Sequence, residues 1–149
     1  MNSRAYVGFL LGGITFALEA TKVLSVASAK GVVPVPFARS CVAGVLFRQG
    51  RLVPVVDLCR VATLWNIVPR PGGEQVLILG LGEIEAGFLA SAVETFTTAD
   101  GGAAREAAAA PGEVREAILS GTLRAGERVW GLLKVNEALM AAGLPAPSA

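Results

Sequence analysis

The chain has 149 residues, 53% of them hydrophobic and 17% charged, enough apolar material for one domain or for two small units sharing a boundary. Thirteen Lys and Arg against twelve Asp and Glu leave a formal charge of +1 with no basic block, which removes the electrostatic footprint of a nucleic-acid binder. Histidine is absent, which excludes His-dependent triads, His metal ligands and His pH switches.

A mean hydropathy of +0.59 raises the question of membrane insertion. The longest uncharged run, residues 5–18, contains Gly12-Gly13 and falls short of the roughly 20 apolar residues a spanning helix needs. Arg4 before that run imitates a signal peptide, but Leu18-Glu19-Ala20 is a poor small-residue cleavage site. The expectation is a cytoplasmic protein with no direct membrane insertion. Cys41 and Cys59 stand far apart in apolar context without a CxxC spacing, so reduced buried thiols are expected rather than a disulfide or metal site.

In chain order, Tyr6-Val7-Gly8-Phe9-Leu10-Leu11 and Ile14-Thr15-Phe16-Ala17-Leu18 flank Gly12-Gly13, whose positive φ angles suit a tight hairpin. Residues 20–29 predict a short helix running into another strand, with Thr21 and Ser25 blurring the period. Residues 31–37 carry Pro34 and Pro36, which exclude helix and suit an extended loop or sheet edge. Residues 45–48 and 51–56 predict a hairpin about Gln49-Gly50, with Pro54 inside its second strand. Asp57 then sits where it can cap a short helix through residue 64, or simply serve as a turn acid.

Residues 65–74, with Pro69, Pro71, Gly72 and Gly73, mark the best internal boundary. Beyond it, strands at 76–79 and 84–90 flank Gly80-Leu81-Gly82, read as a turn because the third glycine of a dinucleotide fingerprint is missing. Residues 93–97 predict a further strand, and 103–110 an Ala-rich small helix or loop. A last hairpin joins 118–123 to 129–133, and 135–142 predict a short terminal helix. Many short strands split near residue 70 argue for an all-β pair of small barrels, each marginal in core size alone.

Enzymatic chemistry finds little support. The acids Glu19, Glu74, Glu83, Glu85, Asp100 and Glu113 fall singly in turns and element starts, where solvated surface explains them. Cys59 has no His to activate it, and a Ser28–Lys30 arrangement has nothing nearby to support it. No catalytic, cofactor-binding or metal-binding residue is assigned, and no cofactor is expected. Phe37, Phe47, Phe88 and Phe96 lie among small residues, either as core or as the lining of a groove that takes an amphipathic helix.

The segment Val42-Ala43-Gly44-Val45-Leu46-Phe47-Arg48-Gln49-Gly50-Arg51-Leu52-Val53-Pro54-Val55-Val56-Asp57-Leu58 resembles the signature of the chemotaxis coupling (CheW-like) family. That signature is usually written Gly-Val-Ile-Asn-Leu-Arg-Gly-x-x-Pro-Val-x-Asp-Leu. The residues 9–18, Pro34-Val35-Pro36, Gly87-Phe88-Leu89-Ala90 with Val93, Ile118-Leu119-Ser120-Gly121 and Trp130-Gly131-Leu132-Leu133 follow other parts of the family pattern in order. The resemblance implies a mainly β fold of two intertwined five-stranded, SH3-like barrels with short helices, one of them C-terminal. The expected layout is a single domain, 1–149, with sub-barrels at roughly 14–68 and 75–149, the latter completed by strand 6–11.

The resemblance also implies an adaptor and not an enzyme, with a groove between the barrels for a chemoreceptor's helical hairpin tip. An end surface would meet the regulatory domain of a CheA-like histidine kinase, and other CheW-like proteins are further partners. Recruitment to receptor clusters follows. The departures from the pattern cluster on charge. Counting back from Gly50, Asn-Leu-Arg is replaced by Phe47-Arg48-Gln49, which puts the arginine one residue early and on the opposite strand face unless a bulge restores it. Ser25 stands where Glu is usual, Ser91 and Lys134 where Asp is usual, and Asp57 is the acid retained. The partner-binding candidates are Phe47, Arg48, Gln49, Ser25, Val35, Phe88 and Asp57. Because Ser25 and Gln49 fall in the barrel that faces the kinase in the family, the expected function is receptor docking with kinase engagement weakened or lost. The alternatives are an ordinary coupling protein bridging receptor and kinase, or an unrelated small β-barrel peptide-binding domain or enzyme.

Overall fold

Short strands with alternating burial and tight turns dominate the computed structural model, which describes residues 4–11, 14–36, 41–58, 74–98, 103–104, 118–125 and 128–144. β1 (Arg4–Leu11) and β2 (Ile14–Glu19) form the opening hairpin, with Phe9 opposite Phe16. A 3-10 turn, Ala20–Lys22, leads into β3 (Val23–Ser28), and a second one, Ala29–Gly31, follows it. The helix expected in this region is therefore two single turns around a strand. Val23 and Val26 favour the extended chain, and Ser28 Oγ caps the second turn by accepting from the Lys30 amide at 3.2 Å.

β4 (Val42–Arg48) and β5 (Arg51–Val56) make the second hairpin. β6 (Gln75–Leu81) and β7 (Ile84–Ala90) make the third. Their register runs through Gly80 and Leu81 to Leu81 opposite Ile84, so the turn is Gly82-Glu83 and not the expected Gly80-Leu81-Gly82. Gly82, at φ +72°, supplies the left-handed residue such a turn requires. β8 (Ala92–Thr98), the two-residue β9 (Ala103–Ala104), β10 (Leu119–Ala125) and β11 (Arg128–Leu133) complete the strands. The C-terminal α-helix, α1 (Val135–Ala141), buries Val135, Ala138 and Leu139. The expected helix after Asp57 and the boundary segment lie almost wholly outside the described residues, as does most of 103–110.

The strands form two sheets. One has the order β8-β1-β2-β11-β10-β9, five full strands with β9 added at its edge; the other has the order β3-β6-β7-β5-β4. These sheets do not divide at residue 70. β6 and β7 join the strands before the boundary, and β2 joins those near the C-terminus, so the expected ranges 14–68 and 75–149 do not describe the two sheets. The reason is two parallel pairings between strands distant in sequence: Val55 with Gly87, and Gly131 with Phe16. The five-stranded sheet curls back on itself where Val33, just after β3, bonds Val45 of β4 in both directions at 2.8 Å.

Three apolar clusters follow from this arrangement. The largest lies between the sheets and joins Phe9, Phe16 and Leu18 to Leu77, Leu79, Phe88 and Leu139. Smaller cores fill each sheet's own concavity, Leu46, Val53, Val55, Val76 and Ile78 in one and Tyr6, Ala17, Leu123 and Trp130 in the other. The mainly β architecture of two small barrel-like sheets with a C-terminal helix is thus the expected one.

Gly44 shows how tightly the curl is closed. Its φ is +152°, the register shifts beside it, and a Cβ there would fall 2.2 Å from the Val33 carbonyl oxygen. Gly50, at φ +78° in the hairpin turn, has open space around it. Gly44→Ala is therefore expected to lower unfolding free energy by about 3 kcal/mol in urea titrations, through strain plus overlap. Gly50→Ala should cost only about 1 kcal/mol, through backbone strain alone. Equal costs at the two positions would contradict this account of the closure.

Candidate functional site

The β4–β5 hairpin decides where its candidate residues point. Gln49 and Gly50 both have positive φ, 49° and 78°, the mirror-image turn whose twist matches a two-residue hairpin. That turn pairs Arg48 with Arg51 and Phe47 with Leu52, and the register is continuous from Gly44 to Arg48. The bulge in this pair lies between Val42 and Gly44, too early to rotate Arg48 onto the other face. Leu46 and Arg48 therefore share the inward face, and Phe47 takes the outward one.

The consequence is electrostatic. Arg48 donates to Glu85 Oε1 at 2.7 Å, and Arg51 lies 3.6 Å from the other oxygen of the same carboxylate. Glu85 is only 13% exposed and Arg48 21%, so this contact is largely screened from water. One carboxylate on β7 thus holds a cation from each strand of the hairpin. On the outer face, Phe47 is 69% exposed and Leu52, directly opposite, 64%. The hairpin presents hydrocarbon on its outer face and turns Arg48 inward, while Arg51 stays mostly exposed.

The other candidates separate. Val35 is exposed, as is Val33 in the bridge to β4, so both extend the apolar surface beside the hairpin. Gln49 is exposed at the turn tip. Ser25 is half-buried on β3, opposite Ile78. Asp57 is half-buried at the hairpin's end, where its amide donates to the Cys41 carbonyl at 2.7 Å. Phe88 cannot be a contact residue: it is fully buried and stacks on Phe9 at 6.0 Å, because β7 turns it into the core between the sheets. Phe96 is likewise engaged, with centroids 5.9 Å from Tyr6 and 5.2 Å from Trp130, while Phe37 and Cys59 lie outside the described residues.

Two apolar features escaped the sequence reading. Leu52, Pro54, Ile84 and Ala86 face Leu139 and Leu144 across a cleft of about 420 Å³ with Arg51 and Glu83 at its rim. The signal was present in β5, where Leu52 and Pro54 make the face opposite Val53 and Val55 apolar as well. The second feature is the seam between the sheets on the β3 side. Ala20, Val23, Leu81 and Val93 are partly buried against the inter-sheet core, while Leu24, 48% exposed, lies over Gly80 on the opposite face of the sheet. Among the described residues no group of three or more His, Cys, Asp or Glu could hold a metal, and no helix is long and apolar enough to cross a membrane.

Comparison with known proteins agrees with this geometry. The family model described as the CheW-like domain matches residues 5–142. Among solved structures, the chain is similar to the scaffolding protein TtCheW from Thermoanaerobacter tengcongensis, with a TM-score of 0.74 and 18% sequence identity. That superposition covers 89% of this chain and 90% of the other. A comparison with curated protein sequences returned no significant match.

The shared carboxylate gives a stability test. Glu85→Gln leaves the largely buried Arg48 without its counter-charge, the exposed Arg51 adding little, and about 2 kcal/mol of stability should be lost. Glu94→Gln breaks the exposed pair with Arg128, in which both side chains are about half exposed, and should cost less than about 1 kcal/mol. Chemical denaturation of the two variants side by side measures the difference. A Glu85→Gln cost no larger than that of Glu94→Gln would show that the hairpin does not depend on its carboxylate.

Proposed function

Since the chain belongs to the CheW-like domain family, we propose that it is a non-enzymatic scaffold of a bacterial chemosensory system that docks a chemoreceptor's cytoplasmic hairpin tip and engages a CheA-like histidine kinase weakly or not at all. The scaffolding role named for the similar Thermoanaerobacter protein supports the first half of this reading. The observation that carries the second is the Arg48–Glu85–Arg51 cluster. An arginine tied at 2.7 Å to its own protein's carboxylate is poorly placed to select a partner by charge.

Receptor docking is assigned to the seam on the β3 side. A helical hairpin presents a narrow apolar ridge, and a seam between two sheets receives such a ridge with little rearrangement. Val23, Leu81 and Val93, each half-buried, line that seam where they pack against the inter-sheet core. The receptor tip would extend the core that already joins the sheets. One observation favours the ordinary bridging role instead: Phe47 and Leu52 offer an exposed apolar pair on the hairpin, which a kinase regulatory domain can use without any charge.

Titration of the purified chain with a receptor signalling hairpin, and separately with a kinase regulatory domain, tests the proposal. The expected result is saturable receptor binding that Leu81→Asp weakens by about tenfold or more, since a carboxylate at the seam must be desolvated. Kinase binding should be absent or weak, and Phe47→Glu should leave receptor binding unchanged. Tight kinase binding abolished by Phe47→Glu would establish the bridging role. Kinase binding with no receptor binding would overturn the proposal.

A further inference from the structure

The edges of the two sheets are not alike. β8 ends one sheet and carries the charged Glu94 and the polar Thr95 and Thr97, all exposed. β9 is only two residues long, and β4 is bridged at Val45 by Val33. β3 ends the other sheet and pairs only with β6 among the described residues. Its six residues, Val-Leu-Ser-Val-Ala-Ser, carry no charge and no proline, and none of them is buried. Leu24 and Val26 are 48% and 44% exposed. An uncharged, half-open edge strand is a template for another strand.

The ends of β3 are charged. Lys22 precedes it and Lys30 follows it, both exposed, and neither forms an ion pair among the described residues. These lysines narrow the choice of occupant. If a second copy paired antiparallel through β3, the register centred on Val26 would set each Lys22 against the other copy's Lys30, like charges directly opposite being destabilising, and no register within residues 20–30 offers either lysine an acid. A segment with an acid at each end meets both lysines favourably in either direction. Beside the strand, Val26, Ser28, Lys30, Gln75 and Ser91 line an open groove of about 900 Å³. Glu74 also lines it, so the groove mixes apolar, hydroxyl and charged groups rather than offering a dry slot for a helix.

We propose that the free edge of β3 accepts an extended partner segment by strand addition, with acidic residues at the segment's two ends pairing with Lys22 and Lys30. Main-chain hydrogen bonds supply the affinity, the exposed Leu24 and Val26 meet side chains on one face of the segment, and the lysines set the length. Six paired residues span roughly 20 Å, so the segment is about eight residues including its acids. This interaction uses the backbone of β3 and differs from helix docking at the seam, so either can fail without the other.

The probe is a blocked, fluorescently labelled peptide of alternating Val and Thr with a glutamate at each end. Anisotropy titration should show saturable binding, and hydrogen exchange should show residues 23–28 slowed in its presence. Methylating alternate peptide nitrogens removes the pairing edge and should abolish binding. The double variant Lys22→Glu/Lys30→Glu changes only exposed side chains and should weaken the peptide by about tenfold. A lysine-ended peptide should bind the wild type poorly and recover on that variant. Binding indifferent to N-methylation or to charge reversal would overturn the proposal, as would no binding at all. A dimer of the protein alone with protected β3 amides would assign the edge to a second copy instead.

Discussion

The stacking of Phe9 between Phe16 and Phe88 is the contact on which the rest of the structure depends. Its ring centroid lies 5.2 Å from one and 6.0 Å from the other. Phe9 and Phe16 face each other across one hairpin, and Phe88 comes from the other sheet. All three rings are fully buried. Each sheet alone holds only a small cluster, and a barrel of that size is marginal by itself. The inter-sheet core is what makes the two barrels one folding unit. It also fixes the orientation of every outward surface, because β1, β6 and β7 are each committed by the residues they turn into it. The seam at Val23 and Leu81 and the cleft at Leu144 are places where this same core reaches the surface.

Glu85 plays a comparable part at the hairpin. Holding two arginines on one carboxylate ties the hairpin to β7 and offsets one of the two positive charges, leaving the more exposed Arg51 to carry the remainder. Charged groups at the rim of an interface govern which partner is chosen and how fast it arrives, more than how tightly it is held. A protein that pairs such groups internally gives up selectivity by charge and must rely on shape and apolar contact. The side chains left on the outer face, Phe47 and Leu52, are of that kind.

Much of the fold was legible in the sequence, and the part that was not has a clear physical cause. Hairpins are local: Gln49-Gly50 and Gly82 announce their turns through the φ angles they permit, and alternation fixes the flanking strands. Which hairpins share a sheet is not local. It depends on Val55 meeting Gly87 and Gly131 meeting Phe16, pairings that no composition break signals. The proline- and glycine-rich stretch near residue 70 therefore looked like a division between barrels although the sheets divide elsewhere. At the level of single residues, Phe47 and Phe88 looked equivalent, each an aromatic on a strand among small neighbours. Register separates them, since a strand's period of two sends one to solvent and the other to the core.

The displaced arginine joins these observations. Had Arg48 stood one position later, it would have fallen in the turn, where Gln49 now sits exposed at φ 49°, and its guanidinium would have projected from the tip. Set one position earlier, it faces inward, and the strand alternation that turns it toward Glu85 is the same alternation that turns Phe47 outward. The two changes are one event in register: a single shift within a two-residue hairpin exchanges a charged tip for an apolar face. No rearrangement of the core is required, because Leu46, Val53 and Val55 remain on the buried side throughout. A fold whose outer contacts are set by hairpin register can therefore change the chemistry of a docking surface while leaving its interior, and the seam on its far edge, intact.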